Sequence, residues 1–165
     1  MRDQTKNALM WALYAVLFLL CVVVETVVFG KPRFLLVKID LIPVCLACIA
    51  MHLGAENGAL FCLAGSLFWY LSGGDCGAVL TVVLTFFGAL AGYLCDRYLN
   101  RRFLSAFLMS LLLLTAAEST VFFLKCYLGG ASLADIRLLP RQILLSMPAV
   151  LVFYPAAWLI RKVGA

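Results

Sequence analysis

The residues of this chain that could carry metal or redox chemistry are its cysteines and its one histidine. Cys45 and Cys48 form a C-x-x-C pair, a spacing used for metal binding and thiol–disulfide exchange, and His52 follows Cys45 by seven residues. The sequence has no second C-x-x-C. Most of its seven cysteines stand in apolar segments, where a thiol behaves as a small hydrophobic group. We therefore predict no metal ion, no cofactor and no disulfide framework.

The sequence also lacks the motifs expected of a hydrolase or a nucleotide-binding enzyme. The stretch "AGSLFW" has no second glycine of a G-x-S-G nucleophile motif. There is no H-E-x-x-H, no phosphate-binding loop and no pair of carboxylates at helical spacing. We interpret the protein as a non-enzyme. The alternative is an intramembrane enzyme whose site uses none of these motifs.

Charged side chains inside the apolar segments are the remaining candidates for a functional site. Ionised groups at membrane depth are costly, so they form pairs, extend to the interface or line a polar pocket. If the chain crosses the membrane six times, one layer near one surface contains the following set: Glu25, Lys38, Asp40, Glu118 and Lys125. Three interpretations stay open: internal ion pairs, a pocket for a small ligand, and a patch that meets another subunit. Lys38, Lys125 and Arg141 are the first partners to test for the acids.

Membrane helices must position these candidates, because the composition excludes a soluble domain. Of 165 residues, 65% are hydrophobic and 13% are charged, and the mean hydropathy is +1.08. In a soluble domain about a quarter of the residues are charged. We predict a single integral membrane domain over residues 1–165. The net charge of +5 lies on loops and termini and gives no indication of nucleic-acid binding.

Four segments are long and apolar enough to cross a bilayer, which takes about 20 residues. They are residues 8–29, 77–95, 103–124 and 142–160. Region 31–76 is ambiguous, because the polar turn "HLGAENGAL" divides it into one segment long enough to span and a second of only about fifteen residues. We predict an all-α protein with six transmembrane helices, two of them short or tilted, with five as the alternative. Pro148 and Pro155 predict a kinked last helix.

The first apolar segment is interpreted as a retained span. Its apolar core exceeds the roughly 15 residues of a secretory signal, and no small-x-small cleavage site follows it closely. Six spans place both termini on one side of the membrane. The dense basic stretch "CDRYLNRR" directly after a span favours the cytoplasm for that side.

One face of the helix predicted at 77–95 consists of small residues. Gly77, Thr81, Thr85, Gly88 and Gly92 lie at i, i+4, i+8, i+11 and i+15, within a stripe about 80° wide. Small residues let membrane helices approach closely, and "GALAG" is a G-x-x-x-G pair. The stripe is either a packing surface inside the bundle or a docking groove for a partner's helix. Three glycines of the preceding segment are predicted to serve the same close packing or its turn: Gly58, Gly65 and Gly73.

From residue 31 to residue 94 the sequence resembles the rod shape-determining protein MreD family. The stretch "KIDLIPVCLACIAMHLGAENGALFCLAGSLFWYLSGGDCGAVLTVVLTFFGALAGYL" has an aspartate entering the second span, a glycine after a short turn, a glycine-rich segment and a later Gly-Tyr-Leu. The positions that fit are Asp40, Gly58, Gly65, Ser72, Gly73, Gly77 and the Gly92-Tyr93-Leu94 triplet. The family often has an acid four positions after the glycine at 65. This chain has Trp69 there, so no role of that acid carries over.

The resemblance implies a structural subunit of the machinery that elongates the wall of rod-shaped bacteria, in the cytoplasmic membrane. Its implied partners are the single-span protein MreC and, through it, a peptidoglycan glycosyltransferase, a transpeptidase and the actin-like filament system. The family's fold is similar to that of the substrate-binding subunits of energy-coupling-factor vitamin transporters, and this gives the alternative function. In that alternative an outer pocket would be lined by Phe68, Trp69, Tyr70 and Glu118.

Overall fold

The structure is a computed structural model and describes residues 2–29, 39–72, 77–99, 102–128 and 136–164. Its helices are α1 (Arg2–Val24), which continues as a π-helical turn (Glu25–Phe29), α2 (Ile42–Leu53), α3 (Ala55–Leu71), α4 (Ala78–Arg97), α5 (Phe103–Tyr127), α6 (Leu138–Ser146) and α7 (Val150–Gly164). Two residues of the predicted site, Lys38 and Gly73, lie outside the described residues.

Among the described residues, four helical stretches are long and apolar enough to cross a membrane: Lys6–Val28, Ala78–Arg97, Phe103–Tyr127 and Leu138–Lys162. They coincide with the four long segments predicted from the sequence, so an all-helical, multi-pass membrane protein is confirmed. The last stretch joins α6 to α7 through a 3₁₀ turn at Met147–Ala149. Pro148 lies in this turn, because proline lacks the N–H that a continuous α-helix needs. Pro155, in contrast, lies inside α7.

The short helix α2 lies at the centre of the bundle. It has 12 residues, which corresponds to about 18 Å, much less than the roughly 30 Å of a hydrocarbon core. Every residue from Ile42 to His52 is buried, because α1, α3, α4, α5 and α7 all pack against this helix. A helix with apolar residues on every side is stable only where protein or lipid covers its whole surface.

One residue, Gly54, reverses the chain between α2 and α3. Its φ of 89° and ψ of 179° belong to a region that glycine alone adopts readily. The Gly54 N–H donates to the Ala50 carbonyl at 3.1 Å, and the Gly58 N–H donates to the Gly54 carbonyl at 2.8 Å. A single residue therefore connects the two helices, and α3 returns antiparallel to α2.

Gly54→Ala is expected to destabilise the protein by about 1–3 kcal/mol, because alanine is strained in this backbone conformation. An added Cβ would also lie 2.8 Å from Oδ2 of Asp96, but that side chain can move. The thermal midpoint of the detergent-purified protein measures the loss. Since the strain is in the backbone, adding Asp96→Ala should recover little stability relative to Asp96→Ala alone. Full recovery would assign the effect to the side-chain contact instead.

The described residues of the predicted charged layer, Glu25, Asp40, Glu118 and Lys125, lie toward one end of the bundle, which we call the polar end. It is the end at which α1 finishes at Glu25–Phe29 and α2 and α6 begin. Because α3 runs antiparallel to α2 and α4 runs antiparallel to α3, α4 begins at the polar end. The end of α5 lies there too, since an added Cβ on Gly77, at the start of α4, would lie 3.9 Å from Leu124 Cδ2.

Candidate functional site

The closest helix contact in the described structure is between α3 and α4. An added Cβ on Gly92 would lie 2.5 Å from the carbonyl oxygen of Gly54 and 2.6 Å from its carbonyl carbon. An added Cβ on Gly88 would overlap Sγ of Cys62 and lie 2.9 Å from its Cβ. Approach of this kind over glycine is how membrane helices gain van der Waals contact. The two glycines thus pack inside the protein's own bundle.

The contact of α3 with α2 is also close. An added Cβ on Gly58 would lie 3.0 Å from the carbonyl oxygen of Ala50. An added Cβ on Gly65 would lie 3.0 Å from Leu46 Cδ2 and 3.3 Å from the ring of Phe18. Glycines of α3 therefore allow its close contact with α2, and glycines of α4 allow the close contact of α4 with α3.

The rest of the small-residue stripe on α4 changes in environment along the helix. Thr81 is buried, and the half-buried Thr85 donates its hydroxyl to the Thr81 carbonyl at 2.8 Å. Gly77, at the polar end, is half-buried and borders an open groove against α5. The stripe is therefore buried at Gly88 and Gly92 and reaches the surface of the bundle at Gly77.

At the polar end, the carboxylate of Glu25 closes the start of α2. Its Oε2 accepts hydrogen bonds from the N–H groups of Leu41 and Ile42, both at 2.9 Å. Groups in the first turn of a helix have no partner within that helix, and a carboxylate is favourable at its positive end. Glu25 is buried and begins a π-helical turn, a feature often found at functional sites. Its observed bonds are those of a cap.

Asp40 links the same helix start to α6. Its backbone N–H donates to Oγ of Ser146 at 3.2 Å, and Nε2 of Gln142 donates to Asp40 Oδ2 at 3.1 Å. The Ser146 hydroxyl donates to the Gln142 carbonyl at 3.0 Å. We did not predict Gln142 or Ser146. The sequence feature that could have indicated them is their spacing: the two polar residues stand four apart, on one helix face, in an otherwise apolar segment.

Glu118 and Lys125 of α5 differ in environment although both lie toward the polar end. Glu118 is buried, whereas Lys125 is exposed. Sγ of Cys48 and Oγ of Ser110 are 3.7 Å apart, which brings the antiparallel helices α2 and α5 into register. Asp40 and Glu118 each lie eight residues further toward the polar end, so the two acids are near the same level.

The residues with metal- or redox-like spacing are placed as packing residues. Cys45 and Cys48 are both fully buried in α2. His52, at the far end of that helix, lies beside Tyr154, with ring centroids 5.8 Å apart. Within the part of the chain that the structure describes, no group of three or more His, Cys, Asp or Glu residues could hold a metal ion.

Comparison with protein-family models, curated proteins and solved structures found no match for this chain. The site is therefore interpreted from its own geometry. That geometry defines a multi-pass helical membrane protein built around the buried helix α2. Glycines hold its hairpin partner α3 against α2 and α4, and acidic residues tie the start of α2 to α1 and α6.

Proposed function

We propose that this protein is a non-enzymatic scaffold subunit of the bacterial cell-wall elongation complex and helps determine rod shape. It binds an MreC-like single-span protein in the cytoplasmic membrane and, through it, a peptidoglycan glycosyltransferase and a transpeptidase. One observation carries the proposal. In the described part of region 31–94, where the sequence resembles the MreD family, glycines allow α2, α3 and α4 to pack at close range.

In this proposal six segments cross the membrane, and both termini are cytoplasmic. The segments are α1, α2, α3, α4, α5 and the combined α6–α7. The short α2 serves as a crossing because its backbone and side chains are enclosed by protein rather than matched to lipid. Successive crossings must run in opposite directions. The one-residue turn at Gly54 makes α3 antiparallel to α2, and α4 packs antiparallel to α3, as six crossings require.

The packing of the aromatic residues favours a scaffold over a vitamin-capture subunit. Phe68, Trp69 and Tyr70 are consecutive on α3, so their side chains point about 100° apart. Trp69 is 5% exposed, whereas Phe68 and Tyr70 are 44% and 48% exposed on the outside of the bundle. Three residues that face different directions do not line one pocket.

The acids of the polar layer also favour a structural role. Glu25 accepts two backbone hydrogen bonds, and Asp40 is bonded to α6 through backbone and side chain. Both carboxylates therefore tie helices to one another. A ligand would have to compete with these internal bonds.

The experiment that tests the proposal is affinity purification of the tagged protein from its native membranes in mild detergent, followed by mass spectrometry. We expect an MreC-like protein and wall synthases to be enriched over a tagged multi-pass protein of unrelated function. Depletion of the protein should turn rod-shaped cells round. Recovery of paired ATPases with a membrane coupling subunit, or normal cell shape after depletion, would contradict the scaffold role.

A further inference from the structure

A groove of about 240 Å³ runs between α4 and α5 at the polar end. Its walls are mostly apolar, from Leu80 on one helix and Val121 and Leu124 on the other, and Gly77 adds no side chain to the floor. Lys125 contributes the cationic group at its edge. The groove opens on the outside of the bundle, where Leu124 and Lys125 are exposed.

The groove reaches from hydrocarbon depth toward the headgroup region. α5 has 25 residues, which at 1.5 Å each span about 37 Å, enough to cross a hydrocarbon core of roughly 30 Å. Lys125 stands in the last turn of α5, where a lysine extends its ammonium to the headgroup region. Val121 lies one turn deeper, at hydrocarbon depth. Leu128, just beyond Lys125, also borders the groove, so Lys125 is a single cationic group among apolar walls near the membrane surface. This arrangement suits the acyl chain and the charged headgroup of an acidic lipid.

We propose that this groove binds an anionic phospholipid of the surrounding bilayer. One acyl chain lies along Leu80, Val121 and Leu124, and the phosphate headgroup pairs with the Lys125 ammonium. The inference is independent of the proposed scaffold role.

The test is native mass spectrometry of the full-length protein, reconstituted in bilayers of equal parts phosphatidylglycerol and phosphatidylcholine. We expect the wild type to retain phosphatidylglycerol in preference to phosphatidylcholine. Lys125→Gln should reduce the retained phosphatidylglycerol about fivefold, the effect of one basic residue near an anionic surface. Lys162→Gln is the matched control, because it removes the same charge from the other end of the bundle, where Lys162 lies over Trp158. Its retention of phosphatidylglycerol should equal that of the wild type.

A second variant tests the apolar part of the groove without the charge. An added Cβ on Gly77 would meet Leu124 Cδ2 at 3.9 Å, an ordinary van der Waals distance. Gly77→Leu should therefore fill the groove, keep the thermal midpoint of the wild type and lower retention of both lipids. Equal retention of the two lipids by the wild type, or unchanged phosphatidylglycerol in Lys125→Gln, would overturn the proposal. So would a copurified protein helix that occupies the groove in place of lipid.

Discussion

Gly92→Leu is expected to prevent accumulation of folded protein. An added Cβ would lie 2.5 Å from the Gly54 carbonyl oxygen and 2.8 Å from the Ala55 nitrogen. Both are backbone atoms of the tight α2–α3 turn, so no rotamer change can relieve the clash. Overpacking costs about 1–3 kcal/mol where a core can adjust, and here the cost should exceed about 3 kcal/mol. The measurement is the fraction of membrane-extracted protein that elutes as one monodisperse peak.

Gly77→Leu is the matched control for this prediction, since it makes the same substitution on the same helix where the structure has room. Equal folded yields from the two variants would contradict the close contact between α3 and α4.

At Gly88 an added side chain would clash with the side chain of Cys62, whereas at Gly92 it would clash with backbone atoms. Gly88→Ala should destabilise the bundle through Cys62, and adding Cys62→Gly should recover part of the loss. Recovery is partial because glycine inside a helix itself costs about 1 kcal/mol.

Glu25→Ala should lower the free energy of unfolding by about 2–6 kcal/mol, the cost of leaving two buried donors without a partner. The substitution leaves the buried N–H groups of Leu41 and Ile42 without their acceptor. A buried donor that loses its partner costs about 1–3 kcal/mol. The thermal midpoint of the purified protein should fall accordingly, and α1 should become more accessible to proteolysis near the π-helical turn.

Two further variants separate hydrogen bonding from charge at this position. Glu25→Gln keeps an acceptor oxygen and should retain most of the stability. Glu56→Ala removes an exposed acid from the first turn of α3 and should change the midpoint little. If Glu25→Gln is as damaging as Glu25→Ala, the negative charge at the helix start, and not the pair of hydrogen bonds, is the stabilising element.

The long helices could be predicted from the sequence because their length and hydropathy alone determine them. Segments 8–29, 77–95, 103–124 and 142–160 each coincide with a stretch long enough to span. The polar turn in "HLGAENGAL" also marked the division between α2 and α3. The central position of α2 could not be predicted, since a helix that is apolar all round looks the same whether protein or lipid covers it.

The sequence predicted which kinds of residue form the site, but it did not predict which residues they would contact. The spacing of Gly88 and Gly92 indicated a close approach, but not that Gly54 and Cys62 would be the surfaces approached. Likewise, Glu25 and Asp40 could be assigned to one layer by counting residues from the ends of spans. That Glu25 would cap α2 depends on a π-helical turn, for which the sequence has no comparable signal.

The enclosure of α2 has a consequence for the order in which the protein is made. Part of its surface is covered by α7, and the ring of His52 rests against Tyr154, about a hundred residues later in the chain. While the ribosome is still synthesising the last quarter of the chain, that side of α2 faces lipid or the insertion machinery. The cover of α2 can therefore be completed only after α7 has been synthesised. A chain that stops before α7 lacks the helix that covers this side of α2, and we expect it to be degraded faster than the full-length protein.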